Sequence, residues 1–315
     1  MTKQKIAIFW PGDQRPAPND VARPSAEQAT AQLERALDKL GRGHYRVAGF
    51  VSKPHEAIEK LGPIDDPMIG VCVHWFYGPH TTDGVVGKDN PLLLASNFSG
   101  QWPGLVGLLN TAACLESVGR RGVSRAWTAA NDWTSDATFM DRLDEWCSTG
   151  RIAYPDGELS YHAPISPAAA QRARRVAEQI RRRRVLAIMF GDTSMGMING
   201  YFGPRLLHSV GFTEHKIDQA WIIARGRDVT DKRIEDAWKF VCDKGVRFHH
   251  GEDGADDFTA ASTKEQLRDY LVAKDLMDEF KGVGQIRFTK IDSNHTYRGT
   301  AILCRSIDEG WNRRR

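Results

Sequence analysis

The chain has 315 residues, too long for one ordinary domain and comfortable for two. Hydrophobic residues make up 41% and charged residues 26%, the balance of a globular protein with a real core. A formal net charge of +3 argues against a dedicated nucleic-acid binder, which concentrates positive charge on one face or stripe.

Lys5–Trp10 (KIAIFW) is a short β-type run, followed by a Pro/Gly/Asp loop. Ser25 opens a helical pattern to Leu40 with Ala29, Leu33, Ala36, Leu37 and Leu40 on one face, ended by Gly41 and Gly43. Tyr45–Val51 reads as a second strand and His55–Leu61 as a short helix. Met68–Phe76 (MIGVCVHWF) is a nearly unbroken apolar run, as expected of a strand covered on both faces. Leu92–Phe98 is a further strand and Gly104–Val118 the helix after it, with Pro103 suited to its first turn. Asp136–Cys147 adds an amphipathic helix.

A loop rich in Gly, Pro and Ser from about Ser148 to Pro164 marks the domain boundary. After it Ser166 caps a long helix, Pro167–Arg184, and Val185–Phe190 (VLAIMF) is a buried strand. Lys216–Ile223 reads as another strand, and Asp231–Asp243 and Lys264–Phe280 as helices. Strands alternating with helices at this spacing predict an α/β class: two consecutive three-layer (Rossmann-like) domains with mostly parallel sheets. The expected division is 1–160, 161–285 and an atypical tail, 286–315, in which no apolar period is legible.

The five cysteines (Cys72, Cys114, Cys147, Cys242, Cys304) are scattered and never in a CxxC pair, which points to a reducing, cytoplasmic compartment. Neither the first ten residues nor the apolar stretch around Leu105–Leu115 has the length of a signal peptide core or membrane span, so a soluble protein is expected.

Several motifs bear on chemistry. Gly191–Phe202 (GDTSMGMINGYF) follows a strand, but its spacing matches neither G-x-G-x-x-G nor G-x-x-x-x-G-K-[ST]. It reads as a tight loop at the carboxyl edge of a sheet, where ligand sites gather in open α/β folds. His74-Trp75-Phe76-Tyr77 ends the apolar strand. Amphipathic rings there suit stacking on a sugar face, or else pack against a neighbouring loop. His249-His250-Gly-Glu252-Asp253, with Asp256 and Asp257, has metal-binding residue types but is crowded into a loop without helical i, i+4 spacing, and reads as solvated. Arg181–Arg184 reads as a solvated helix end favoured by the C-terminal dipole.

Taken as an ordered set, the Arg15 loop, CVHWFYG (72–78), ASNFSGQWPGLVGLLN (95–110), GDTSMGMINGYF (191–202), HKIDQAWIIAR (215–225) and FHHGEDG (248–254) resemble the L-fucose/L-arabinose isomerase family over residues 5–283. The resemblance implies two N-terminal α/β domains followed by a third. It implies aldose–ketose isomerisation with Mn²⁺ in a homo-oligomer, a hexamer in the family, whose sites lie between subunits. Carried over by motif, Arg15, Trp75 and Met195 close the sugar pocket; Tyr77 is a further expected substrate-binding residue, from the reading of amphipathic rings at the strand end rather than from the family. No catalytic or metal-ligating residue is assigned in this chain. The family's Glu, Asp and His metal ligands belong to segments beyond the resemblance. The stretch from about Ile286 does not read as family sequence, the pattern a premature end or shifted reading frame would leave. The expected function is a sugar isomerase without its metal-binding catalytic domain; the alternative is a non-catalytic sugar-binding or assembly module. A nicotinamide-dependent dehydrogenase is disfavoured because the glycine fingerprint is missing. Expected partners are a small sugar and further copies of the chain, with no nucleic acid and no membrane.

Overall fold

The computed structural model describes residues 5–76, 78–99, 104–154, 164–191, 203–251 and 259–280, with short strands beyond them. The chain is α/β and divides into two compact units, the described residues up to Tyr154 falling in the first and those from Pro164 in the second.

In the first unit, Ile6–Pro11 (β1), His44–Val51 (β2), Met68–Cys72 (β3), Leu92–Asn97 (β4) and Val123–Thr128 (β5) form one parallel sheet in the order β2-β1-β3-β4-β5. The alternation along β1 explains its central place. Ile6, Ile8 and Trp10 enter a core with Ala26, Ala29, Leu33 and Leu37 of helix α1 (Pro16–Lys39) and Phe139, Leu143 and Trp146 of α5 (Ala137–Thr149). Ala7 and Phe9 enter the opposite core, with Ala57 and Leu61 of α2 (Pro54–Leu61), Val85 of α3 (Gly78–Val85) and Leu108, Ala112 and Leu115 of α4 (Leu105–Ser117). Three layers result. Each fully buried leucine of these helices contributes about 1.5–3 kcal/mol of transfer free energy.

Several boundaries differ from the sequence expectation. The first helix begins at Pro16, not Ser25, because Pro at the first helical position is already set to φ of the helix. The apolar run predicted as a strand to Phe76 leaves the sheet at Cys72, so His74 and Trp75 lie past the strand end. Helix α3 and strand β5 are additional elements. Gly104 sits where α4 begins, and a Cβ there would overlap the Cys72 carbonyl, so the helix start lies directly against the end of β3.

In the second unit, α6 (Pro167–Arg183) precedes β6 (Val185–Phe190), and α7 (Gly203–Val210) precedes β7 (Phe212–Ile217); β6 and β7 pair in parallel. The expected strand Lys216–Ile223 is a misplacement: β7 ends at Ile217, and Asp218 caps α8 (Gln219–Gly226), its carboxylate accepting the Ala220 N–H at 2.7 Å. With α9 (Asp231–Asp243) and α10 (Ala260–Glu279), this unit packs Ile188, Phe190, Ile217, Ile222, Ile234 and Leu276 into its own core. Past Gly284, where no period is legible, the backbone forms Gln285–Arg287 (β8), Lys290–Ile291 (β9), Tyr297–Arg298 (β10) and Ile302–Cys304 (β11), paired antiparallel as β8 with β11 and β9 with β10. Among the described residues no helix is long and apolar enough to cross a membrane.

Candidate functional site

The strand order reverses at β1: the chain moves to β2 on one side and returns to β3 on the other. The crevice outside the carboxyl ends of β1 and β3 is therefore the topological switch point, the place where open α/β sheets hold ligands. The two strands run in register, Ala7 beside Met68 and Phe9 beside Gly70. They deliver Gly12-Asp13 and His74-Trp75 to one edge.

Gly12 has the room that this turn needs and no more. A Cβ there would lie 2.6 Å from Ser52 Oγ and 2.8 Å from Phe50 Cβ. Asp13 follows, wholly buried. Its Oδ1 accepts the Arg15 backbone N–H and the Nε–H, each at 2.8 Å, and its Oδ2 accepts from Nη2 at 2.6 Å. The guanidinium is thus held as a fork by two oxygens, a stronger and more directional arrangement than a single ion pair. Arg15 caps α1 in extended conformation, and its side chain keeps 34% of its surface exposed.

Asn19, in the first turn of α1, locks this loop from beneath. Its Oδ1 accepts the Asp13 N–H at 2.8 Å; its Nδ2 donates to the Asp13 carbonyl at 2.7 Å and to Ser52 Oγ at 3.0 Å. The backbone of Asp13 fixes which end of the amide is oxygen. It also fixes the state of His74, whose Nε2 lies 3.0 Å from that same Oδ1: Nε2 must carry the hydrogen. Burial holds the His74 pKa below the ordinary histidine range, against the opposing pull of the Asp13 charge, so the ring is neutral near pH 7 and Nδ1 carries a lone pair. Nδ1 is buried with no hydrogen-bond partner among the described residues. The ring stands edge-on to Phe50, centroids 5.4 Å apart. His80 of α3 is also buried; burial lowers its pKa, with Asp13 and Asp83 opposing.

Of the residues singled out from sequence, Arg15 and the half-buried Trp75 lie at this edge, joined through Asp13, Asn19 and His74. Tyr77 and Met195 lie outside the described residues, as do Glu252, Asp253, Asp256 and Asp257. His250 is described, its ring stacked on Phe248 at 5.9 Å and 3°. Sequence reasoning misses Asp13 and Asn19. The signal that could find them is an Asp-x-Arg after a strand, with an Asn placed in the first turn of a helix that starts on Pro16.

The arrangement can hydrogen-bond and stack on a polar ligand. It does not fit Mn²⁺: the Asp13 carboxylate is committed to Arg15, whose positive charge opposes a second cation, and His74 Nε2 is committed to Asn19. Among the described residues no group of three or more His, Cys, Asp or Glu side chains could hold a metal ion. Against known proteins, no family model matches the chain and no curated protein matches its sequence.

Proposed function

We propose that this chain is a sugar-handling member, by descent, of the L-fucose/L-arabinose isomerase family, and that its first unit supplies the rim of an aldose pocket. The observation that carries the reading is the junction of the Arg15 loop with the His74-Trp75 strand end at the switch point. A half-buried indole and a fixed guanidinium at one edge are the side-chain types that recognise a sugar, the indole through the apolar face of the pyranose and the guanidinium through its hydroxyls.

The chemistry of an aldose–ketose isomerase moves a proton between two adjacent carbons and requires a positioned base and a stabiliser for the enediolate. Among the described residues the Asp13 carboxylate is not that base, because it is already bound by Arg15. In this proposal the catalytic carboxylates and the Mn²⁺ they would bind are absent or supplied by a different chain that carries the third domain, and the setting is a reducing cytoplasm, in keeping with Cys72, Cys114, Cys147 and Cys242 as free thiols. The engagement of Asp13 also favours a second reading, a non-catalytic sugar-binding module that orients a ligand without reacting it.

Fluorescence titration with a panel of aldoses, compared between the wild type and Trp75→Phe, tests the rim. Saturable quenching lost in the variant is expected; no aldose response from the wild type would sink the reading. Ketose formation assayed in parallel with added Mn²⁺ separates the two versions. The purified chain is expected to bind without turnover, since binding that is equal in ground and transition states does not raise the rate.

A further inference from the structure

We infer that Asp13 is a positioning and specificity-determining residue: by holding Arg15 as a net-neutral fork, it tunes the switch-point crevice to uncharged polyhydroxylated ligands and against phosphorylated ones. This rests on the reading of Arg15 as a rim residue.

An arginine at a switch point beside a helix N-terminus would ordinarily make an anion site, because guanidinium, N–H groups and helix dipole all favour phosphate. Three features here cancel that preference. The first is the fork, in which a wholly buried carboxylate takes three N–H groups of one residue, Arg15. The backbone that carries this carboxylate is fixed, because Asn19 takes both the N–H and the carbonyl of Asp13 and is itself tied to Ser52. The second is the start of α1. Pro16 and Pro18 occupy its first turn, so two of the N–H groups that would face an anion do not exist. The third is the remaining charge near the crevice. Among the described residues, His74 is neutral, the Glu56 carboxylate accepts the Ser52 N–H at 2.9 Å, Asp83 lies on α3, and Arg23, 5.6 Å over the Phe50 ring, is offset by Asp20 at 3.7 Å. The result is a rigidly held guanidinium with little net charge, which favours neutral hydroxyl oxygens over phosphate.

The test uses the full chain, with inorganic phosphate and L-fucose as probes and phenylglyoxal modification of Arg15 as a readout that needs no sugar. In the wild type, phosphate should neither bind the crevice nor protect Arg15 from modification. In Asp13→Asn, which keeps the shape and removes the charge, phosphate should bind about tenfold more tightly, in a salt-sensitive way, and should protect Arg15, while L-fucose weakens. Asp13→Glu keeps the charge but displaces the oxygens, so L-fucose should weaken with no gain of phosphate. Equal phosphate binding by wild type and Asp13→Asn overturns the inference. So does protection of wild-type Arg15 by phosphate, a measurement that decides even if Asp13→Asn fails to fold. If the wild type binds no L-fucose while Asp13→Asn gains phosphate, the sugar-rim reading fails and the role of Asp13 stands.

Discussion

His74 and His80 are two imidazoles on which acid acts. Both are buried, and both have pKa values lowered chiefly by burial from the ordinary 6.5. Below that value the unfolded chain takes up protons that the folded chain refuses, so stability is full above about pH 6.5 and falls as the pH drops toward the folded pKa values. Asp13 and Asp83 face these rings and reduce the effect without reversing it. The expected outcome is a lower urea midpoint at pH 5.5 than at pH 7.5, with a flatter profile in the His74→Gln, His80→Gln double variant. A midpoint that rises on acidification would contradict the neutral state of His74, and with it the lone pair on Nδ1.

Helix α1 carries the loop that holds Asp13, and it tolerates Pro24 in its interior. Proline there removes an N–H from the ladder and presses on the preceding turn, yet Pro24 lies on the exposed face, so its replacement opens no cavity. Pro24→Ala should therefore raise the unfolding free energy by about 1–2 kcal/mol, the helical gain being offset in part by a freer unfolded chain. Chemical denaturation measures it; a loss instead would mean that the proline bends α1 onto the sheet. The same helix shows where sequence reading succeeds and fails. Ala29, Leu33, Ala36 and Leu37 announce a buried stripe, whereas Pro16 and Pro18 look like loop although the first turn of a helix accepts proline. The apolar run in β3 betrays a strand covered on both sides. α3 is hidden because Gly78 and Gly84 are poor helix formers held by packing: a Cβ on Gly84 would collide with the Ala57 carbonyl. α8 reads as a strand because Trp221-Ile222-Ile223 is apolar in succession, a pattern that strand and buried helix share. In the site, Trp75 and Arg15 stand out by type and by motif. Asp13 and Asn19 do not, since their meaning lies in hydrogen bonds to a loop folded back over the helix start.

At the scale of the molecule, a net charge of +3 conceals an uneven distribution: α6 buries no residue and, with Arg184 after it, carries seven arginines against the single acid Glu178. The first unit has two cores of its own. Its sheet is closed on both faces by its own helices, so a fragment of residues 1–154 should unfold in one cooperative transition, and circular dichroism in urea would show it; a broad, non-cooperative melt would mean that its two cores depend on the rest of the chain. The position of β1 has a consequence for how the protein is made. The first strand synthesised lies between β2 and β3, so the three strands that deliver Asp13, Ser52 and His74 can pair as soon as Cys72 has left the ribosome. β4 and β5 then join one edge in the order of their translation, and no early strand waits, sticky and unpaired, for a neighbour encoded far downstream. The nascent chain thus assembles its crevice before the sheet around it is finished.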